Sequence, residues 1–585
     1  MTSNAAARAR AGGSFLIENH PAAEMLTPER FPADLKMMAA TVRQFVEREI
    51  LPDLGALEGL DYDLIRDRLR KAGEQGLLGV DVAEEYGGLA ASKTATLLVA
   101  EKLAPSGSFS VTFNAHSSIG TLPLAYFGDD EQKSRYLPGL VSGELVGAYC
   151  LTEPGSGSDA RSARTKAVPS EDGSTYRLTG SKMWITNAGF ADLFTVFAQV
   201  PGADGPQFTA FLVERDTPGV SFGEEEAKMG IKGSSTRLLL LEDAPVPAAN
   251  VLGEVGQGHR IAFSILNVGR LKLAAGAVGG VKEMLRLSAD YASERQQFGV
   301  PIASFGLIRE KLGRMAADCL ALESAVYRIG GELDRLAEEK GPQGALEALN
   351  EYVVEYSIAK VWGSEILDEA IDETLQIHGG NGYSAEYPVE AAYRNSRINR
   401  IFEGTNEINR LLVSGQLLRR ALSGRLDLVG AGQRALQGPL PPPENVPQEL
   451  RDAFTAVEGL KGAALLLATA GAGHYAQGIE EEQELLARIA DVTALAFLAE
   501  SGLLRAQSLQ DGANGQTASL LARLYALGAV DRARVLAAEG LRRIPGGADM
   551  RAVLEGHLPE MGEDLIGLRR LAADAVLERG GYPLG

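Results

Sequence analysis

Two short stretches carry residue types that could bind a small ligand. In YCLTEPGSGSD (149–159), Gly155 and Gly157 let backbone N–H groups approach a phosphate or a carbonyl closely, among several hydroxyl side chains. Farther along, GSKMWITN carries Trp184 and Thr186, which could place an indole against a planar ring and a hydroxyl at its edge. GSGSD alone is typical of a polar turn. The two stretches together favour a ligand site over a turn.

A third stretch, RIFEGTNEINRLL (400–412), carries a carboxylate that could act as a general base. Thr405 is a favourable helix N-cap, Glu407 lies in the first turn and an apolar stripe follows, so the pattern predicts a helix here. Glu403 therefore lies on the loop just before that helix. A carboxylate in such a place can remove a proton from a bound substrate, whereas an exposed loop glutamate is the ordinary alternative.

ERQQFG (294–299) supplies a cation in a chain that is rich in acids. The forked guanidinium of Arg295 suits a pyrophosphate, and a surface helix cation is the alternative. The Phe-Gly pair that follows Arg295, together with the glycine pair Gly379–Gly380, favours binding.

The elements that must position these residues change along the chain. Apolar residues recur every three to four positions in early stretches such as 35–50, and later in 259–294, 306–338, 345–378 and 406–421, which predicts helices. Short alternating runs between 146 and 255 predict strands. No strand leads into G-x-G-x-x-G and a helix, so a Rossmann site has no support. The predicted fold is α+β and mainly α, with an N-terminal helical domain (30–145), a central β-barrel or β-sandwich domain (146–258), a C-terminal four-helix bundle (259–425), a Pro-rich linker (438–447) and an appended helical domain (448–585).

Composition narrows the class of protein. The 585 residues carry a formal net charge of −20 without a long Lys/Arg run, which argues against a nucleic-acid partner. Two cysteines predict a reducing compartment, a bacterial-type cytoplasm, with the mitochondrial matrix as the alternative. The six histidines form no ligand cluster, so we expect no metal, and no apolar run approaches the ~20 residues of a membrane span. Residues 1–13 are expected to be a disordered start, with a transit peptide as the alternative.

Six stretches in this order resemble the acyl-CoA dehydrogenase family, from about residue 30 to 422: YCLTEPGSGSD, GSKMWITN, AKMGIKGSSTR, ERQQFG, QIHGGNGY and FEGTNEINR. The resemblance implies an FAD-dependent flavoprotein that oxidises fatty acyl-CoA to trans-2-enoyl-CoA in fatty acid β-oxidation. It also implies electron-transfer flavoprotein as the electron acceptor, and a homodimer or homotetramer.

The resemblance implies which residues hold FAD. Those of the central domain are Tyr149, Cys150, Leu151, Thr152, Gly157, Ser158, Trp184, Ile185 and Thr186, with Thr152 at the pyrimidine side of the flavin and Thr186 near its N5. Those of the helical part are Arg295, Gln297, Phe298, Gln376, Gly379, Gly380, Thr405, Asn406 and Glu407. Of these, the first six are implied to bind the ADP half across a subunit interface.

Glu403 is implied as the base that takes the α-proton of the substrate. One branch of the family carries its base on an earlier helix, just before an arginine. In this chain the residue before Arg270 is Gly269, which excludes that variant. The residues implied on the substrate side are Ser158, Asn267, Arg270, Phe402 and Gly404.

The block after the linker resembles the appended helical domain of very-long-chain acyl-CoA dehydrogenases. In mitochondrial members that domain helps to bind the inner membrane, but the stretch 454–478 has one Lys and no Arg. A membrane-surface helix usually has a basic face, so we expect this stretch to pack inside the protein. An acyl-CoA oxidase that uses O2, and a non-catalytic assembly factor for a respiratory complex, remain the alternatives.

Overall fold

A computed structural model of the chain describes residues 9–510 and 512–585, apart from the side chains of residues 342 and 343. The chain divides into two compact units. The sheet unit is Pro32–Lys272, and the helical unit joins residues 9–31 to Leu273–Gly585.

The sheet unit begins with helices whose ends follow from local sequence. Asp61 and Ser92 each accept a backbone N–H in the first turn of a helix, and Asp129 forms a capping box with Gln132 at another. Gly143, with a left-handed φ of 77°, ends that last helix. The α-helices are α1 (Ala33–Phe45), α2 (Leu54–Glu58), α3 (Tyr62–Glu74), α4 (Lys93–Lys102), α5 (Ser108–Asn114), α6 (Leu122–Phe127) and α7 (Asp130–Ser142).

A mixed sheet follows these helices. Its strands are β1 (Gly147–Cys150), β2 (Lys166–Pro169), β3 (Thr175–Thr186), β4 (Leu193–Val200), β5 (Gln207–Glu214), β6 (Val220–Phe222), β7 (Thr236–Pro247) and β8 (Val251–Leu252). Their order is β6-β7-β3-β2-β4-β5-β8, with β1 parallel to β4. Leu140 of α7 shares a buried core with Phe197 and Leu212 of the sheet. This core fixes the end of β1, where the glycine-rich stretch continues as a loop.

Long helices make up most of the helical unit. They are α8 (Gly258–Glu294), which enters this unit at Leu273, α9 (Gly306–Glu351), α10 (Val353–His378), α11 (Pro388–Ser396) and α12 (Asn406–Leu422). A hairpin of β9 (Gln296–Gln297) and β10 (Val300–Pro301) joins α8 to α9. The sequence pattern predicted that one helical segment ends near residue 338 and the next begins near residue 345. The structure has a kink in that interval, because the backbone of Gly341 (φ 60°, ψ −145°) is not helical and two helical segments of α9 meet there.

The appended helices are α13 (Leu428–Gln437), α14 (Arg451–Tyr475), α15 (Gln483–Ser508), α16 (Gly515–Arg543), α17 (Arg551–His557) and α18 (Leu565–Arg579). Residues 438–447, the predicted linker, form neither helix nor strand. The α15 helix packs on α9 and α12, and Arg328 of α9 pairs with Glu500 of α15 at 2.8 Å. The predicted mainly helical α+β fold class, with a central β-sheet part and an extra helical region, is confirmed.

Within residues 9–510 and 512–585, two helical stretches are long and apolar enough, by length and composition, to cross a membrane: Gly258–Glu294 and Gln448–Glu481. In the most apolar stretch of each, 72% and 83% of the residues are buried inside the protein, as in a core helix. Lys461, the one lysine of the stretch 454–478, is buried and pairs with Glu458 and Glu500 at 2.9 and 2.6 Å. The stretch packs inside the protein from Phe454 to Gly471, as the sequence led us to expect, whereas most of residues 472–478 are exposed.

The segment before α1 departs from expectation. Residues 1–8 lie outside the described residues, but residues 9–13, expected to be disordered, dock on the helical unit. The Gly12 N–H donates to the Glu351 carboxylate at 2.8 Å. A Cβ at Gly12 would clash with the carbonyl oxygen of Glu351, so glycine is what allows the backbone to reach this buried carboxylate.

Candidate functional site

The glycine-rich stretch leaves β1 as a loop whose start is held by a buried ion pair. Glu153 and Ser156 each donate an N–H to the other's carbonyl, at 3.0 and 3.1 Å. The buried Glu153 carboxylate accepts from Lys182 Nζ at 2.7 Å and from the N–H groups of Arg164 and Thr165 at 2.6 and 3.0 Å. Burial opposes the charge, but Lys182 and the other donors outweigh it and keep the pKa of Glu153 below its usual value.

The stretch GSKMWITN lies on β3, beside that loop. The Met183 N–H donates to the Thr152 carbonyl at 2.9 Å, so the two stretches that the sequence suggested are in contact. The β3–β7 register shifts between Lys182 and Ile185, and in this bulge Trp184 has a left-handed φ of 61°. Trp184 is 53% exposed, which leaves an apolar ring surface beside the loop.

The tip of the loop has room for a ligand. Gly155, Gly157 and Ser158 are exposed, and a Cβ on either glycine would meet no atom within 4 Å. Thr152 and Thr186 are half-buried. The residues present therefore fit a flavin, because they offer an exposed ring surface, an open glycine backbone and hydroxyl groups beside them.

Several residues predicted to line the cofactor lie beneath this surface. Cys150 and Ile185 are buried in the core, as is Leu151, and the buried Tyr149 donates its hydroxyl to the Ala262 carbonyl at 3.2 Å. The side chains of Cys150 and Ile185 are 0% and 1% exposed, so neither offers a surface to a ligand, and any contact of these two residues with the cofactor would be made by the main chain.

Asn267 and Arg270, predicted on the substrate side, lie one turn apart on α8 within the sheet unit. Both are buried, and Arg270 Nη1 donates to Asn267 Oδ1 at 2.8 Å. Ser158 belongs to the same unit, whereas Phe402 and Gly404 belong to the helical unit.

In the helical unit, Glu403 lies half-buried on the bend before α12, with a left-handed φ of 59°. A non-glycine residue in this conformation costs about 1–3 kcal/mol and persists only where its surroundings impose it. The buried Asn409 imposes it here, because its amide donates to the carbonyls of Glu403, Gly404 and Thr405 at 3.3, 2.7 and 3.1 Å. Thr405 caps the helix as predicted, accepting from the Ile408 N–H at 3.3 Å.

A buried lysine also holds this bend. Lys360 of α10 donates to the Gly404 carbonyl at 2.8 Å and to Asn406 Oδ1 at 2.7 Å. The amide of the buried Asn406 in turn donates to Ser364 and Glu365, at 3.0 and 2.9 Å. The oxygen and nitrogen of the Asn406 side chain are therefore occupied within the protein. Any contact of Asn406 with the cofactor would be made by its main chain. Phe402 and Thr405 are half-buried, and Glu407 is exposed.

The residues predicted to bind the ADP half lie on two neighbouring segments of the helical unit. Tyr291 joins the segments, because its hydroxyl donates to the His378 carbonyl at 3.2 Å and its ring stacks on His378 at 4.2 Å between centroids. Phe298 is 93% exposed, so the β9–β10 hairpin offers an apolar ring three residues after the exposed Arg295. All six predicted residues are exposed: Arg295, Gln297 and Phe298 on the hairpin side, and Gln376, Gly379 and Gly380 at the end of α10.

Sequence reasoning missed the lysines that hold both bends. Lys182 and Lys360 are fully buried. Lys360 interrupts the apolar run SIAKVW, and a lone lysine inside an apolar helix is a signal that could have found it, since a buried ammonium needs oxygen partners. Lys182 follows Gly180 and Ser181, so the local sequence carries no such signal for it.

Four family models match the chain. They are described as the acyl-CoA dehydrogenase N-terminal domain (residues 32–144), middle domain (148–244) and C-terminal domain (256–418), with a second model of that last description over 459–557. The chain belongs to the acyl-CoA dehydrogenase family.

Relatives of this acyl-CoA dehydrogenase agree with the match. A probable acyl-CoA dehydrogenase of Bacillus subtilis is 49% identical over 511 residues, covering 86% of this chain and 85% of that protein. The mitochondrial very long-chain specific acyl-CoA dehydrogenase of Rattus norvegicus is 42% identical over 381 residues, which is 64% of this chain and 56% of the relative. A crystal structure of an acyl-CoA dehydrogenase complexed with FAD from Bacillus anthracis has a TM-score of 0.94 at 43% identity, covering 98% of this chain and 100% of that one. The predicted family and its appended domain are confirmed.

Proposed function

We propose that this acyl-CoA dehydrogenase binds FAD and oxidises fatty acyl-CoA to trans-2-enoyl-CoA in fatty acid β-oxidation, passing electrons to electron-transfer flavoprotein. The observation that carries the proposal is the bend at Glu403, a half-buried carboxylate on left-handed backbone whose carbonyls are held by Asn409. A rigid carboxylate of this kind is what removal of a weakly acidic α-proton requires. The open glycine loop beside Trp184 supports FAD as the cofactor.

Each residue then has a task. The Glu403 carboxylate takes the α-proton, and its backbone N–H stabilises the negative charge on the thioester oxygen, a contribution of about 3 kcal/mol for a prealigned donor. FAD, when bound, supplies the acceptor for the hydride that leaves Cβ. With FAD bound, the exposed Trp184 indole would cover an apolar face of the ring and exclude water from it. The hydrogen-bonded pair of Asn267 and Arg270 helps to position the acyl-CoA substrate.

Assembly and location belong to the same proposal. We place the ADP half of FAD between two subunits of a homodimer or homotetramer, because Arg295 and Phe298 are exposed on one hairpin. We propose a reducing compartment, a bacterial-type cytoplasm, because two cysteines, Cys150 and Cys319, are too few for a disulfide framework in a chain of 585 residues. Native mass and cell fractionation test these two points.

Anaerobic titration of the purified protein with acyl-CoA of increasing chain length tests the reaction. We expect a yellow protein with about one FAD per chain, bleached by its preferred substrate, and trans-2-enoyl-CoA as the product. Failure of every acyl-CoA to reduce the flavin would refute the proposal. Reoxidation by electron-transfer flavoprotein but slowly by O2 identifies a dehydrogenase, whereas rapid oxygen uptake identifies an oxidase.

A further inference from the structure

Arg410 lies on α12, about two turns after the bend that carries Glu403. Its Nη1 and Nη2 contact the two carboxylate oxygens of Glu365 on α10, each at 2.8 Å, and its Nε contacts Asp491 on α15 at 2.6 Å. The guanidinium also lies over the Trp362 ring, 5.2 Å from its centroid. Two carboxylates and an aromatic ring therefore restrict the planar guanidinium of Arg410 to a single orientation.

The contacts of Arg410 lead back to the bend. Glu365 accepts from the Asn406 amide at 2.9 Å, and Asn406 accepts from Lys360 at 2.7 Å. Lys360 donates to the Gly404 carbonyl at 2.8 Å. A continuous chain of hydrogen bonds therefore runs from the appended domain to the residue beside Glu403, in the order Asp491, Arg410, Glu365, Asn406, Lys360 and Gly404.

A second contact fixes α12 on α15 one turn farther along. The buried Ser414 donates its hydroxyl to the Leu486 carbonyl at 2.6 Å. Asp491 is held in turn by Arg488, at 3.5 Å, which also pairs with Glu539 of α16 at 2.8 Å. The helix that follows the proposed base is therefore attached to the appended domain at two successive turns.

We propose that Asp491 is a positioning residue for Glu403, which it serves by fixing Arg410 and with it the first turns of α12. The inference rests on the proposed role of Glu403 as the base. If Asp491 loses its charge, Arg410 keeps only its contact with Glu365 on α10. The start of α12 can then shift relative to α15. A base displaced by ~1 Å lowers the rate by roughly 10²-fold.

Asp491→Asn is the test, because it keeps the shape of the side chain and removes its charge. We expect flavin reduction by acyl-CoA to slow by roughly 10- to 10²-fold in stopped flow, with FAD content and the acyl-CoA dissociation constant unchanged. The kinetic isotope effect with substrate deuterated at Cα is expected to rise, because removal of the α-proton becomes slower and limits the rate to a greater extent. Asp491→Glu, which keeps the charge, is expected to retain most of the rate.

Glu500→Gln is the matched control. Glu500 lies on the same helix and is buried like Asp491, but its partners are Lys461 and Arg328, not residues of α12. We expect this variant to lower Tm at least as much as Asp491→Asn and to reduce its flavin at the wild-type rate.

Two results overturn the positioning role: wild-type flavin reduction in Asp491→Asn, or equal slowing in Glu500→Gln. If Asp491→Asn does not fold, Ser414→Ala replaces it and is expected to slow reduction several-fold; an unchanged rate there also overturns the role. A wild-type protein that no acyl-CoA reduces would instead refute the proposed function, so the two failures are distinguishable.

Discussion

The loop at Glu153–Ser158 and the bend at Glu403 both rest on a fully buried lysine, but the two lysines support different structures. Lys182 pairs with the carboxylate of Glu153 at the start of its loop and leaves the glycine tip open. Lys360 donates to the neutral oxygens of Gly404 and Asn406, within a bend whose successive carbonyls are all bonded. The comparison teaches that the surface proposed to receive a cofactor is anchored at one end, whereas the carboxylate proposed as the base is held along its whole bend.

Glu403→Gln removes the proposed base from the bend and should have the largest effect on the rate of flavin reduction. The amide keeps the shape of the side chain but cannot accept the α-proton. Flavin reduction by acyl-CoA is expected to slow by about 10²- to 10⁴-fold, the usual contribution of a general base, while FAD and substrate still bind. Glu403→Asp should retain part of the rate. Reduction of the Gln variant at the wild-type rate would show that the base lies elsewhere.

Lys182→Met tests the anchor of the open loop. It leaves the Glu153 carboxylate buried without its cation, which is expected to cost roughly 3–5 kcal/mol of the free energy of unfolding. Denaturant unfolding measures the loss. Lys166→Met, at an exposed lysine on β2, is the control and should change stability by less than about 0.5 kcal/mol. Equal losses of stability in the two variants would show that the buried Lys182–Glu153 pair does not anchor the loop.

The same ion pair predicts a pH dependence. Because the folded-state pKa of Glu153 is lowered, its contribution to stability is fully present above the pKa of the unfolded chain, about 4.5, and is lost as pH falls through the folded-state value. Thermal melting between neutral and acid pH should show a steeper acid loss in the wild type than in Glu153→Gln. Parallel profiles for the two proteins would contradict the assignment.

Gly157→Ala is expected to have the smallest effect and to act on the open tip alone. Its Cβ would meet no protein atom within 4 Å, so the stability of the apoprotein should be equal or slightly higher. The added methyl group occupies ligand space, so FAD affinity should fall by about 10-fold, or roughly 1.4 kcal/mol, in a fluorescence titration. Gly473→Ala, at another open glycine on α14, should leave FAD affinity unchanged. Unchanged affinity in Gly157→Ala would mean that the tip does not contact the cofactor.

The parts that could be predicted from sequence are those set by neighbours in the chain. The spacing of apolar residues predicted α8 as 259–294 against the observed Gly258–Glu294, and the capping signal of Thr405 placed Glu403 on a bend. What holds the bend could not be predicted, because Lys360 is 44 residues from Gly404, and Asp491 is 81 residues from Arg410. Local patterns carry no information about which distant polar groups will meet in a core.

The N-terminal segment has a consequence for how the chain is made. Glu29 pairs with the fully buried Arg505 at 2.6 Å across 476 residues of sequence. At a synthesis rate of about 5–20 residues per second, Glu29 leaves the ribosome roughly 25–100 s before Arg505. The sheet unit, a continuous stretch from Pro32 to Lys272, can fold during that interval. Residues 9–31 are synthesised first but pack on helices such as α15 that are synthesised last. The helical unit can therefore complete its folding only near the end of translation.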